Sequence, residues 1–453
     1  MARAVRKKEL RLEERLEAAL VRSEEQPYEV PGNWCWVRLG ALCSFIGGGT
    51  PSKDNKEYWN GSIPWASVKD IKGDYLLETV DHITEAGLQN SSASMCEEND
   101  LLLVTRIEPA KTIISRIKTS INQDLKIVKS ELSSIFLHYY FETFKHEFER
   151  KSSGSTVKGI TLKIVQNEPL PLPPLQEQER IVNIIESLFA DLDEAKEKLS
   201  AVLEGFTQRK AVILHQAFTG ELTEKWREEN GESFESWETV RLQEVCEKIT
   251  CGKTPKEFIS EAGEIPFLKV YNIVNNEIDF EKSQYIPKEI HDSKLKSSIL
   301  KPNDVVMNIV GPPLRKIAIV PDTYDEWNMN QAIVRFRSKE RLDYRYLYYA
   351  LLNPQTLDAI IQETRGVVGQ ANISISQARN LEIPLPLMNE QREIVRILDQ
   401  LFEDEQQAKA SVEAVLEDID TIKKSILARA FRGELGTNEP GEENAREMLK
   451  RVL

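Results

Sequence analysis

The sequence predicts an α+β protein in which two pseudo-symmetric mixed α/β domains are separated by two long helices paired as an antiparallel coiled coil. Three observations predict it. Residues 177–222 align with 390–435 at a constant offset of 213 without a gap, and 22 of those 46 positions are identical. In both copies apolar residues recur at alternating spacings of four and three, the pattern of a coiled-coil seam. The stretches of about 140 residues before each copy share short matching segments, while most of their length diverges.

The repeat reads as helix from end to end. Pro173 and Pro174, with Pro386 in the second copy, mark the approach to each start, and Gly220 and Gly433 mark each stop. The first seam runs Ile181, Ile185, Leu188, Leu192, Ala195, Leu199, Val202, Phe206, and the second follows it from Ile394 to Ile426. Each helix of about 40 residues spans roughly 60 Å at 1.5 Å per residue. Two polar residues break the seam, Arg209 in the first helix and Glu405 in the second. An antiparallel register whose paired numbers sum to 614 sets them opposite each other, so a register-selecting ion pair is one expectation. Each side chain snorkelling to solvent is the other.

Before each helix, WVRLGALCSFIGGGTPSK parallels TVRLQEVCEKITCGKTPK, and SIPWASVKDI parallels EIPFLKVYNI. Asn99–Asp100 parallels Asn303–Asp304 ahead of an apolar run, and GSTVKGITL parallels GVVGQANISI. Runs such as LLLVT, KIAIV and AIVRF read as strands of a curved, largely antiparallel sheet, and HYYFETFKHEF and YRYLYYALLN read as helices. The chain thus divides into an N-terminal helix and entry segment (1–30), a first domain (31–175), a spacer helix (176–219), a linker (220–236), a second domain (237–388), a second spacer helix (389–432) and a tail (433–453). GNWCWVRL and ESWETVRL enter their domains alike, so antiparallel helices bring the two chain ends together in a closed, circular-like arrangement.

Composition excludes several classes. No run of 18 apolar residues occurs and the charged N-terminus has no apolar signal core, so neither a membrane span nor a signal peptide is expected. The five cysteines (35, 43, 96, 246, 251) form no CxxC pair and the five histidines no metal or nucleophile spacing, which suggests reduced, cytoplasmic chemistry and no metal site. Net charge is −14, yet 176–230 and 389–453 carry −5 each while the two domains are close to neutral. A few local basic groups, not the total, set affinity for a polyanion. The Walker-like Gly252-Lys253-Thr254 lacks its first glycine, since Glu247 stands there, so nucleotide binding is not expected. No Asn/Asp-Pro-Pro-aromatic motif of the kind used for amino-group methylation occurs.

One frame with divergent loops is what two readers of different sequences require, each facing half of a duplex site. The site is then asymmetric and split by an unread spacer, which the helices cap at about 18 base pairs. Candidate contacts on the glycine-permitted turns are Thr50, Ser52, Lys53, Thr254 and Lys256. Basic loop candidates are Lys69, Arg106, Lys111, Arg116, Lys118, Lys269, Arg315, Lys316 and Arg365, and Asn272 and Gln370 are candidates for reading adenine. For each residue taken singly a solvated surface charge is the competing reading. The aromatic cluster Tyr58, Trp59, Trp65 fits core packing better than base stacking.

GGGTPSKDNKEYWNGSIPW, GSTVKGITLK…PLPLPPLQEQERIV and AFTGEL/AFRGEL together resemble the specificity subunits of type I restriction–modification systems, over nearly the whole chain and in both halves. The second copy departs at EFISEAGEIPF, which lacks the Tyr-Trp pair. The resemblance implies two target-recognition domains on double-stranded DNA, and helices that set the spacer and dock two methylation subunits. Those subunits would bind S-adenosylmethionine and methylate adenine, and restriction subunits using ATP and Mg would join them, with no cofactor bound by this chain. It places Leu175, Glu177, Gln178, Ile181, Glu390, Gln391 and Ile394 where the helix bases meet the domains and the methylation partners. Competing classes are a self-contained DNA methyltransferase or nuclease, and a coiled-coil scaffold that binds no DNA.

Overall fold

The computed structural model describes residues 12–154, 158–255, 259–281, 284–311, 313–364 and 371–453. They form two compact units, Met1–Glu197 with Val415–Leu453, and Lys198–Ala414. The division falls inside both long helices, α1 (Leu175–Phe218) and α2 (Met388–Ala430), so each unit owns one half of each helix.

In the first unit, a five-stranded sheet runs Cys43–Gly47, Leu125–Ser130, Leu101–Val104, Thr112–Ser115, Tyr75–Leu76. A four-stranded sheet runs Asp81–Ile83, Trp59–Ala66, Thr119–Ile121, Ser94–Cys96. The second unit repeats the plan with Cys246–Cys251, Ile333–Ser338, Val305–Asn308, Ile317–Ile319, and with Tyr285–Ile286, Ile265–Leu268, Trp327–Met329, Ile299–Leu300. Each domain therefore holds two sheets where the sequence suggested one. Pairing is mostly antiparallel, but the strand after each glycine loop pairs in parallel, Trp65 opposite Ser120 and Phe267 opposite Asn328. A separate ribbon ties each domain entry to its exit, Cys35–Arg38 on Pro169–Leu172 and Glu238–Arg241 on Glu382–Leu385.

Local chemistry explains the shared frame. Asn99 and Asn303 both take φ 69°, a left-handed turn that asparagine tolerates. The next residue closes each turn: Asp100 accepts from the Glu97 N–H (2.9 Å) and Asp304 from the Lys301 N–H (2.8 Å). Those carboxylates then pair with the neighbouring strand, Lys129 on Asp100 and Arg337 on Asp304, each at 2.6 Å. The helices Ser134–Lys151 and Tyr344–Leu352 cover the sheets that begin with Cys43–Gly47 and Cys246–Cys251 with aromatic faces, as their sequences suggested.

Within each unit the half-helices pair antiparallel. In the first, Lys196 meets Asp420 at 3.3 Å and Lys423 meets Asp193, so paired numbers sum to 616. In the second, the Lys210 ammonium lies 4.9 Å over the Phe402 ring, a sum of 612. The 614 register is therefore the one formed. The expected Arg209–Glu405 ion pair is not. Arg209 is exposed and lies 5.4 Å from the Phe206 ring centroid, and one carboxylate oxygen of Glu405 is buried with no hydrogen-bond partner. Arginine's length carries its charge past the seam to water, while Glu405 faces Lys210, whose pKa is lowered by burial despite that carboxylate. Glu405→Leu, which installs the residue of the matching position Leu192, should raise the stability of this unit by about 1–2 kcal/mol. A lower denaturation midpoint for the variant would contradict this.

The closed arrangement is present in the first unit. The Ala445 N–H donates to the Asn33 carbonyl (2.9 Å), Asn438 Nδ2 to Asn33 Oδ1 (2.7 Å), and the Tyr28 hydroxyl to the Phe431 carbonyl (3.0 Å). The helices Leu12–Ala19 and Ala445–Val452 also touch. The tail after α2 thus does for the first domain what the continuous linker after α1 does for the second. A permuted chain, opened at the left-handed Gly231 turn and joined from 453 to 12 by a short flexible linker, should keep the far-ultraviolet spectrum and cooperative melting of the parent. Its failure to fold would show that the tail contacts are secondary.

Candidate nucleic-acid interface

The glycine loop of the first domain is seated against the turn that follows strand Thr119–Ile121. The Gly49 N–H donates to the Ile121 carbonyl (2.9 Å), and a Cβ on Gly48 would fall 2.3 and 2.4 Å from the Ile121 and Asn122 carbonyl oxygens. Only glycine allows that approach. Two indoles hold the loop from behind: Trp65 donates to the Gly49 carbonyl and Trp59 to the Ser52 carbonyl, both at 3.0 Å, and the rings meet edge-to-face. The aromatic cluster therefore props the loop, which is the packing role its sequence favoured.

So supported, the Thr50 hydroxyl donates to the side-chain oxygen of exposed Gln123. Gln123 Nε2 points to Asp124 Oδ2 (3.2 Å), and Arg106 donates to Asp124 Oδ1 (3.2 Å) with its side chain 57% exposed. Lys126 donates to the Gln123 carbonyl (2.6 Å), its pKa lowered by partial burial, and exposed Lys53 has no ion-pair partner among the described residues. The result is a polar, cationic edge at one end of the larger sheet. In the second domain a Cβ on Gly252 would fall 2.1 and 2.2 Å from the Asn330 and Met329 carbonyl oxygens, and Thr254 donates to exposed Gln331. The Asn122-Gln123 and Asn330-Gln331 turns were missed in the sequence. Their only signal was the dipeptide itself, repeated at the same distance before AIVRF and DLKIV-type strands.

The remaining candidates divide. Ser52 lies exposed on the first loop, its carbonyl held by Trp59. Lys111 pairs with Glu108 on the same turn as Arg106. Lys69 pairs with Asp81 at 2.7 Å, whose hydrogen bond raises its pKa. Arg116 and Lys118 sit at the far end of strand Thr119–Ile121, Arg116 stacked 4.3 Å over Tyr75 and Lys118 paired with Glu97 at 2.8 Å. The structure does not bring those two to the Thr50 edge. Arg315 is drawn to Asp358, and Lys316 Nζ reaches the Val270 carbonyl at 3.4 Å. Lys269 begins a turn closed by Asn272, which accepts from the Lys269 N–H (3.0 Å) and donates to the Asp279 carbonyl (3.1 Å). Asn272 is 1% exposed, so its role as an adenine reader is corrected to that of a turn anchor, the part Asp70 plays in the first domain. Lys256, Arg365 and Gln370 lie outside the described residues.

The helix bases also require a correction. Glu177, Gln178, Ile181, Glu390, Gln391 and Ile394 are all at most 1% exposed, so none is a surface available to a partner. Glu177 accepts from Trp34 (2.7 Å), Thr437 (3.0 Å) and Asn438 (2.9 Å). Glu390 accepts from Trp237 (2.8 Å), Thr223 (2.7 Å) and Arg227 (2.6 Å). Gln178 donates to the Pro173 carbonyl and Gln391 to that of Pro386, which fastens each helix start to the strand before it. These residues lock domain, helix and linker together. Leu175 alone of the seven is exposed. His291, Asp292 and Glu326 approach one another, but the buried imidazole is already engaged by Glu326 (3.1 Å) and Asn328 (3.0 Å).

Two modules of one fold, alike in scaffold and unlike at their exposed edges, on a paired helical spacer: that is the class the geometry defines. The chain belongs to the type I restriction modification DNA specificity domain family, whose model matches residues 31–204 and 235–414. It is 26% identical to the type I restriction enzyme MjaVIII specificity subunit of Methanocaldococcus jannaschii, over 90% of this chain and 94% of that protein. It is likewise 26% identical to the EcoBI specificity subunit of Escherichia coli, over 69% of this chain and 68% of that protein. Its fold matches the HsdS subunit from Thermoanaerobacter tengcongensis with a TM-score of 0.60, at 21% identity, over 91% of this chain and 100% of that one. A chain from a structure of type I R-M complex assembly and conformational transition matches with a TM-score of 0.68, at 20% identity, over 90% and 100%. Among the described residues no helix is long and apolar enough to cross a membrane.

Proposed function

We propose that this chain is the DNA sequence-specificity subunit of a type I restriction–modification complex. Each domain reads one half of an asymmetric, bipartite duplex target, and α1 and α2 set the unread spacer. One observation carries the reading: both domains present the same Thr–Gln pair beside a glycine loop, its glutamine exposed in each, while the groups flanking it differ. A common hold on the duplex with two different readouts has that form. The negative total charge agrees, because the acid sits on the helices and the edge carries Lys53, Arg106 and Lys126.

On this reading the chain is not itself catalytic and works in the cytoplasm. Two methylation subunits carrying S-adenosylmethionine methylate adenine, and restriction subunits carrying ATP and Mg cleave. They dock on exposed helix surface around Leu175 and not on the buried lock residues. Genome-wide mapping of methylated adenines, with and without this chain, tests it. A split, asymmetric motif that vanishes with the chain is expected. A palindromic, unsplit motif, or methyl transfer by the chain alone, would refute it.

A further inference from the structure

We infer that the two domains grip DNA identically but read one equivalent position with different chemistry: Arg106 over Gly159 reads a guanine, and Val310 beside Asn372 reads an A·T pair. The inference rests on the functional reading above and adds to it the base class recognised by each half.

The equivalence is fixed by backbone geometry. Leu125 pairs with Val104 and Ile333 with Asn308 in the same antiparallel register. The next N–H then reaches across identically, Thr105 to the Asp124 carbonyl and Ile309 to the Ala332 carbonyl, both at 2.8 Å. A third segment joins identically too, with the Ile160 N–H on the Thr105 carbonyl and the Ile373 N–H on the Ile309 carbonyl, both at 2.9 Å. Arg106 therefore corresponds to Val310, Asp124 to Ala332, and the facing Gly159 to Asn372, confirmed by the Arg106–Gly159 bridge and the Val310–Asn372 pair.

Thr50 with Gln123, and Thr254 with Gln331, are the same in both domains and so cannot distinguish two different half-sites. Hydroxyl and amide groups fixed to each other suit phosphate and sugar contacts, which position without specifying. The adjoining three positions differ in size, charge and polarity together. In the first domain Asp124 pins the guanidinium at 3.2 Å, and the arginine stem passes over Gly159, where a Cβ would sit in ordinary contact, 3.5 Å from Arg106 Cγ. A pre-oriented guanidinium with free N–H groups matches guanine O6 and N7. In the second domain the charge anchor is gone. Val310 is 38% exposed, and Asn372 is exposed with no side-chain partner among the described residues. An amide that bonds adenine N6 and N7 beside an apolar group on the thymine methyl reads one A·T pair.

The test uses the full chain with its methylation partners in cells, read by mapping methylated adenines. Arg106→Ala should relax one guanine in one half-site, lowering its discrimination by about 5- to 150-fold, with the other half unchanged. Arg106→Gln should move that preference toward adenine. The triple variant V310R/N372G/A332D should convert one A·T of the other half to G·C. Thr50→Ala with Gln123→Ala should weaken modification without changing any base preference. If the motif keeps full stringency in both Arg106 variants, the inference is wrong while a split motif still upholds the functional reading. If no split motif depends on the chain, both fall. Should the triple variant not fold, the Arg106 pair decides alone.

Discussion

Glu390→Ala is expected to destabilise the second unit by about 3–5 kcal/mol, the cost of leaving a buried cation without its partner. Glu390 is 1% exposed and receives Arg227, Thr223 and Trp237. Arg227 keeps its bonds to the Gly220 carbonyl (2.7 Å) and the Thr223 hydroxyl (3.0 Å), neither of which neutralises it. The equivalent Glu177→Ala orphans only neutral donors, Trp34, Thr437 and Asn438. Its expected cost is smaller, about 1–3 kcal/mol. Hydrogen exchange resolves the two units separately. Glu390→Ala should speed exchange throughout 220–398 and leave 43–130 protected, whereas equal effects of the two variants would show that Arg227 finds another anion.

That contrast explains which parts of the molecule its sequence revealed. Heptads, the repeat and the strand runs were legible because burial imposes a period, whereas the seam alone fits a register one heptad away (a sum of 607) as well as 614. The lock residues were legible as a motif where the helix bases meet the domains and a partner, but not as buried anchors. A glutamate at a helix start ordinarily faces water, and nothing in EQERIV or EQREIV states that Trp34 or Trp237, more than 140 residues away, donates to it. Asn272 misled in the same way: the spacing LKVYNI marks a loop, but its closure by residue 272 depends on a backbone N–H three residues back. The Asn-Gln turns had no period and little charge to announce them.

The exposed edge was harder to read than the core for a related reason. Lysine and arginine in loops are common, and sequence cannot tell which acid an arginine will be pinned to. Arg106 and Arg315 looked alike, yet one is held by Asp124 at the edge and the other by Asp358. The surface that differs between the domains could be located only after the surface that does not differ had been identified by geometry.

The loop that builds this edge gives the second large effect. Trp65→Ala should cost the first unit about 3–5 kcal/mol, the range for truncating a buried tryptophan. Trp65 is 5% exposed, packs edge-to-face on Trp59 at 5.1 Å and donates to the Gly49 carbonyl. Its removal opens a cavity under the glycine loop and frees that carbonyl, so Thr50 loses the fixed approach to Gln123. Trp65→Phe separates volume from hydrogen bonding, since Phe267 stands at this register in the second domain and has no N–H to give. It should cost only about 1 kcal/mol. In the assembled complex, Trp65→Ala should abolish or relax recognition of one half-site and keep the base preferences of the other. Trp65→Phe should retain both at reduced efficiency. Loss of stringency in both halves from Trp65→Ala would mean that the two domains do not read independently.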